Sequence, residues 1–100
     1  MKINIKATKV DLTPDLKALV QEKFSGLDKY YDKIVCIDLE LGLEVAGQRK
    51  GDIYFCEVNV SVPGKLLRYR KAYSDLTQAI NGVHKGIQLE LIREKEKKLR

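Results

Sequence analysis

Residues 34–45 alternate apolar and polar side chains, and this period of two constrains the fold more than any other feature of the chain. Ile37, Leu39, Leu41, Leu43 and Val45 point one way; Cys36, Asp38, Glu40 and Glu44 point the other. The segment predicts a long strand with one face in a core and one in water. A polar turn with two glycines, residues 46–52, separates it from residues 54–62. There Cys56, Val58, Val60 and Val62 are the inward set. Pro63-Gly64 signals a second turn, and residues 66–73 read as a further strand. In that strand Leu67, Tyr69 and Tyr73 face inward and Arg68 and Arg70 outward. Lys71 falls on the inward side, where it must snorkel or lie at an edge. Residues 2–7 alternate as well, with Ile3, Ile5 and Ala7 on one face and Lys2, Asn4 and Lys6 on the other.

Two segments have the helical period instead. Thr13-Pro14-Asp15 opens the first: Thr13 can cap, Pro14 suits the first helical position, and Asp15 meets the positive end of the dipole. Leu16, Leu19, Val20, Phe24 and Leu27 form its apolar stripe, and the helix is expected to end near Tyr30. The second follows a Ser74 cap with Asp75 in the first turn, and its core stripe is Leu76, Ile80, Val83, Ile87 and Leu91. It runs out into a charged tail over residues 93–100, where basic residues suit the negative end of the dipole. The order is β-α-β-β-β-α. This predicts an α+β two-layer sandwich: a four-stranded mixed sheet, polar on its outer face, with two helices on the other face. The first two strands can pair in parallel through a right-handed crossover, and the other pairs are antiparallel. One hundred residues without linkers or repeats make a single domain, residues 1–100, with one modest core.

Charge narrows the function. From residue 65 onward there are ten Lys or Arg against four Asp or Glu, whereas the first 64 residues nearly balance; the chain carries +5 overall. Concentrated positive charge attracts polyanions, of which RNA is the most abundant in a cytoplasm. No apolar run reaches the ~20 residues of a membrane span. The N-terminus has no apolar signal-peptide region, so a soluble cytoplasmic protein is expected. Cys36 and Cys56 are assigned to opposite faces of the sheet, which excludes a disulfide between them and predicts two reduced, non-functional thiols. His84 is the single histidine and reads as a surface or boundary residue; it has no second ligand for a metal. Residues 45–51 hold two glycines but lack the Lys-Ser/Thr ending of a phosphate loop, so they read as a hairpin loop with Arg49 and Lys50 at its tip. No nucleophile with a base, no paired carboxylates in a cleft and no zinc spacing occur. The reading is a non-enzyme without cofactor or metal.

Candidate contact residues follow from spacing. Lys85, Leu89 and Arg93 lie four apart and make one row on the far side of the second helix from its core stripe, where the two cations can meet phosphates. Lys95 and Lys97 extend the basic surface. Leu89 and Ile92 on the same outer side are an apolar pair amid charge, and offer a protein contact or weak self-association. Lys23 interrupts the stripe of the first helix, either as a snorkelling stem or as a cation beside an RNA surface. Arg68 and Arg70 either balance Asp38 and Glu40 across the sheet or touch RNA. An acidic middle of the sheet would repel a nucleic-acid backbone, which favours the helix edge and the fourth-strand edge.

Over its whole length the chain resembles the ribosome hibernation-promoting factor and ribosome-associated inhibitor family. The resemblance is carried by the opening strand with Val10-Asp11-Leu12-Thr13, by Leu16, Val20, Lys23, Phe24 and Leu27, and by Tyr30-Tyr31-Asp32. It continues through Val60-Ser61-Val62-Pro63-Gly64, Ser74-Asp75-Leu76 and Ala79-Ile80. It implies a fold similar to double-stranded RNA-binding modules, with a basic surface against ribosomal RNA. It also implies binding to the small ribosomal subunit in the channel of mRNA and tRNA, which silences translation under stress, and in some members pairing of ribosomes. Longer members carry a C-terminal dimerisation domain, so the chain is similar to a short form or to an isolated N-terminal domain. The family pattern has a Lys and, three residues later, an Arg along the exposed side of the second helix. Gly86 and Leu89 stand there instead, with basic charge at Lys85 and from Arg93 onward. The expected function is therefore steric translation inhibition on the small subunit and its ribosomal RNA, with Lys23, Arg68, Arg70, Lys85, Arg93, Lys95 and Lys97 as RNA contacts. The alternatives are a protein-interaction or oligomerising module acting through Leu89 and Ile92, and a module for a non-ribosomal RNA.

Overall fold

A computed structural model describes residues 1–44 and 53–98. The elements run β1 (Lys2–Thr8), α1 (Pro14–Ser25), a 3₁₀ turn (Gly26–Lys29), β2 (Cys36–Leu43), β3 (Tyr54–Val62), β4 (Lys65–Tyr73) and α2 (Leu76–Lys98). The four strands form one sheet in the order β1-β2-β3-β4. β1 pairs with β2 in parallel, and the other two pairs are antiparallel. The expected α+β architecture and strand directions are those observed. The polar turn over residues 46–52, with Arg49 and Lys50, and the far end of the second strand at Val45 lie outside the described residues. No helix among the described residues is long and apolar enough to cross a membrane.

Pairing registers turn the alternation of each strand into rows across the sheet. On the helix-covered face, Ile3, Ile37, Val60 and Leu67 are in register, followed by Ile5, Leu39, Val58 and Tyr69. The next row is Ala7, Leu41, Cys56 and Lys71. Lys71 thus occupies an inward register position and is nevertheless exposed, because β4 is an edge strand; its ammonium lies 6.0 Å from the Tyr69 ring centre. The apolar rows pack against Val20, Phe24 and Leu27 from α1 and the 3₁₀ turn, and against Ala79, Ile80, Val83, Ile87 and Leu91 from α2. Removing a buried side chain the size of Phe24 from such a core costs about 3–5 kcal/mol. α1 packs on β1, and α2 on β3 and β4.

Helix ends and stripes differ from expectation in three places. Thr13 caps α1 as expected, its hydroxyl accepting from the Leu16 amide at 3.2 Å. α2 is capped one residue later than expected: the Asp75 carboxylate accepts from the Gln78 amide at 2.8 Å, while the Ser74 hydroxyl donates to the Gln78 side chain. A carboxylate at that place satisfies an orphan amide and also meets the positive end of the dipole. Leu19 was expected in the core stripe of α1 but is 52% exposed. It flanks Val20, and the stripe of a helix lying on an edge strand is narrower than its sequence suggests. Gly86 was expected on the exposed side of α2 and is buried instead. Gly82 and Gly86 face β4, and a Cβ at either would collide with the ring of Tyr73 or Tyr69. These two glycines are what let α2 approach the two tyrosines.

Candidate nucleic-acid interface

The helical side of the molecule carries two basic surfaces, one on each flank of α2. The first is a groove of ≈ 370 Å³ between α1 and α2, lined by Leu19, Glu22, Lys23, Gly26, Lys29, Tyr30 and His84. The 3₁₀ turn builds it. By continuing the chain past Ser25 in a tighter spiral, it brings Lys29 round beside Lys23, with the Lys29 ammonium 5.9 Å from the centre of the Tyr30 ring. His84 enters from α2. Its imidazole packs edge-on against the buried Phe24, ring centres 5.2 Å apart and planes at 84°. Burial, and then the nearby charge of Lys23 and Lys29, lowers the imidazole pKa below its usual value; a hydrogen bond with the Lys23 backbone works the other way.

The second surface is the outer row of α2. Lys85, Leu89 and Arg93 are all exposed, Leu89 at 48%. Arg93 leans on Glu90 at 3.4 Å, an exposed contact that leaves the guanidinium largely in water. Lys95 and Lys97 are exposed in the last turns, while Ile92 is half-buried beside Leu91. Leu89 and Ile92 are therefore not equally presented to solvent, and Leu89 is the more prominent of the two.

The open face of the sheet is arranged differently. Its rows read Asn4, Asp38, Asn59, Arg68 and then Lys6, Glu40, Glu57, Arg70, so basic side chains stand at the two edges and carboxylates in the middle. Arg70 is engaged there. It contacts Glu44 at 2.8 Å and Glu57 at 3.2 Å, and its guanidinium lies 4.0 Å from the centre of the Phe55 ring. The Glu44 hydrogen bond, followed by the Glu57 contacts, raises its pKa against the opposing effect of burial. A cation held by two carboxylates on an aromatic face has little charge left for a phosphate. Arg68 donates to the Asn59 side chain at 2.8 Å and forms no ion pair among the described residues. Asp38 accepts from Asn4 at 2.8 Å, and Glu40 accepts from the Thr8 hydroxyl at 2.7 Å.

The candidate residues thus fall into three places. Lys23 lies in the inter-helix groove, Lys85, Arg93, Lys95 and Lys97 on the outer part of α2, and Arg68 and Arg70 on the open sheet face. The groove residues Lys29 and His84 were not among the sequence candidates. Lys29 lies beyond the helical period that placed Lys23, and no spacing in the chain relates position 84 to position 23. Cys36 is half-buried on the open face and Cys56 fully buried on the other; both are free thiols. Burial pushes the Cys56 thiol up to about 12, and burial with neighbouring Asp38 raises that of Cys36. Among the described residues no group of three His, Cys, Asp or Glu could hold a metal ion.

Comparison with known proteins supplies the family. The ribosome hibernation promoting factor of Azotobacter vinelandii is 26% identical over 99% of this chain and 87% of its own length. That of Klebsiella oxytoca is 27% identical over 97% of this chain and 96% of its length. The Bacillus subtilis ribosome hibernation promotion factor is 25% identical, but this chain spans only 50% of it. In three dimensions the chain shares its fold with a ribosomal subunit interface protein of Coxiella burnetii, at a TM-score of 0.81, 20% identity and coverage of 96% and 99% of the two chains. The N-terminal domain of Thermus thermophilus Protein Y superposes at a TM-score of 0.72 with 24% identity, over 93% and 98%. Residues 3–99 match the family described as Sigma 54 modulation protein / S30EA ribosomal protein, and the chain belongs to that family.

Proposed function

We propose that this protein is a ribosome hibernation factor that docks on the small ribosomal subunit, with its helical side against ribosomal RNA, and blocks the channel of mRNA and tRNA. The observation that carries the reading is the family match over residues 3–99, joined by full-length relatives that bear the hibernation-factor name. The charge layout supports the orientation. Lys23 and Lys29 line one flank of α2, and Lys85 and Arg93 stand exposed on the other. The sheet's open face, by contrast, presents Asp38, Glu40 and Glu57 in its middle and holds Arg70 in ion pairs.

The mechanism is steric and electrostatic. A compact basic domain competes with mRNA and tRNA for one site, and phosphate contact needs no particular base sequence. Such a role places the protein in the cytoplasm and asks no reaction of it. Co-sedimentation of the full chain with purified small subunits tests the proposal. Binding at low salt that weakens steeply as salt rises is the expected result; absence from the small-subunit fraction at low salt refutes it.

A further inference from the structure

We propose that the groove between α1 and α2 is a proton-linked phosphate site, in which a backbone phosphate of RNA settles between Lys23 and Lys29 and the imidazole of His84 takes up a proton as it does so. The proposal rests on the RNA-binding reading above and adds to it a ligand subsite and a dependence on pH.

The geometry supports it in three ways. The groove of ≈ 370 Å³ has room for a phosphate group, and three of its seven lining residues are Lys23, Lys29 and His84, against one carboxylate, Glu22. The imidazole is not a loose surface group, because its edge-on packing against the fully buried Phe24 fixes its plane. Charged and titratable groups reach the imidazole from three elements. α1 supplies Glu22 and Lys23, the 3₁₀ turn supplies Lys29 with the Tyr30 phenol beside it, and α2 itself carries Lys85 one residue on.

In the empty groove burial, and then the two ammonium groups, disfavour a positive charge on the imidazole and hold its pKa below the usual value. A bound phosphate shifts that balance. Its negative charge offsets part of the lysines' charge, and an imidazolium N–H can then donate to a phosphate oxygen. The proton comes from solvent and no covalent bond changes. The occupied groove binds more protons than the empty one, so by linkage affinity must rise as pH falls from the neutral range through the imidazole's titration. If binding raises the pKa by about one unit, the gain in affinity approaches about tenfold at most.

Two measurements test this, and they separate an RNA phosphate from free phosphate. His84 is the chain's only histidine, so its ring resonances can be followed without ambiguity in the full chain by NMR across pH, with and without inorganic phosphate. The expected result is an upward move of its pKa in phosphate relative to sodium chloride at equal ionic strength; an unmoved pKa overturns the site. The second arm measures affinity for purified small subunits at pH 5.5 and 7.5. Wild type should tighten several-fold more than His84→Gln. An equal pH response in the two, alongside a positive NMR result, overturns the RNA assignment and leaves the groove a site for free phosphate. If wild type fails to bind subunits at either pH, the functional reading fails, and the NMR arm alone decides whether the groove takes phosphate.

Discussion

Gly86 offers a sharp test of how α2 is seated. In an ordinary helix interior, Gly→Ala stabilises by about 0.8–1.0 kcal/mol, because glycine carries the larger backbone entropy. At this position the added methyl would sit inside the Tyr69 ring, overlapping its Cδ2, Cε2 and Cζ atoms. Overpacking of this kind costs about 1–3 kcal/mol. The overlap outweighs the propensity gain, so Gly86→Ala should destabilise by about 1 kcal/mol, a fall in Tm of about 4–8 °C for a domain of this size. In a Tyr69→Ala background the ring is gone and the sign should reverse, leaving Gly86→Ala stabilising by close to its intrinsic amount. The two changes should therefore couple by about 1–3 kcal/mol. Urea denaturation of wild type, both single variants and the double variant measures this directly. Gly86→Ala that stabilises the wild-type background, or the same effect in both backgrounds, would refute the close approach of α2 to β4. The result bears on function too. A larger side chain at position 86 would have to displace the Tyr69 ring or α2, and the exposed basic charge of this helix stands at neighbouring positions such as Lys85 and Arg93.

Three further expectations concern charge and titration. Lys85→Glu combined with Arg93→Glu should weaken small-subunit binding and flatten its salt dependence, since fewer counterions are released. Their exposure should keep the stability change within ~0.5 kcal/mol, and Leu89→Ser should leave the salt slope unchanged unless that row serves a protein partner instead. Replacing Cys36 with Ser and Cys56 with Ala should leave subunit binding intact. A thiol alkylating agent at pH 8 should modify Cys36 slowly and Cys56 only on unfolding, because the latter is buried with its pKa pushed up to about 12; rapid native-state labelling of Cys56 would contradict the packing. For His84 the folded pKa lies below the unfolded value. Between the two the unfolded chain binds more protons, so the stability attached to this group is present above about pH 6.5 and is lost as pH falls through the folded pKa. Thermal melts from pH 7.5 to 5 should show this decline in wild type and a smaller one in His84→Gln.

How much of this protein could be read from its residues depends on the range over which each feature acts. Alternation along the strands fixed which face of the sheet each side chain takes, because successive Cβ atoms in a strand point to opposite sides whatever lies beyond it. That is why alternation alone puts Ile37, Leu39, Val58 and Val60 in the core, and Cys36 and Cys56 on opposite faces. The basic last third and the ordered match of segments along the chain likewise pointed to an RNA partner and a family. Local pattern could not say which turn of a helix meets which strand. Leu19 fits an apolar stripe by spacing, yet α1 lies on the edge strand β1 and leaves it outside. Gly86 looks like a gap in an exposed basic face until Tyr69 is seen pressed against it. Arg70 has the charge and the alternation of an RNA contact, but the antiparallel register brings Glu57 opposite it, and the fold brings Glu44 near enough to hold it on Phe55. The groove holding Lys23, Lys29 and His84 exists only because two helices far apart in sequence are laid side by side on one sheet, and charges at such separation in the chain meet only through the tertiary fold.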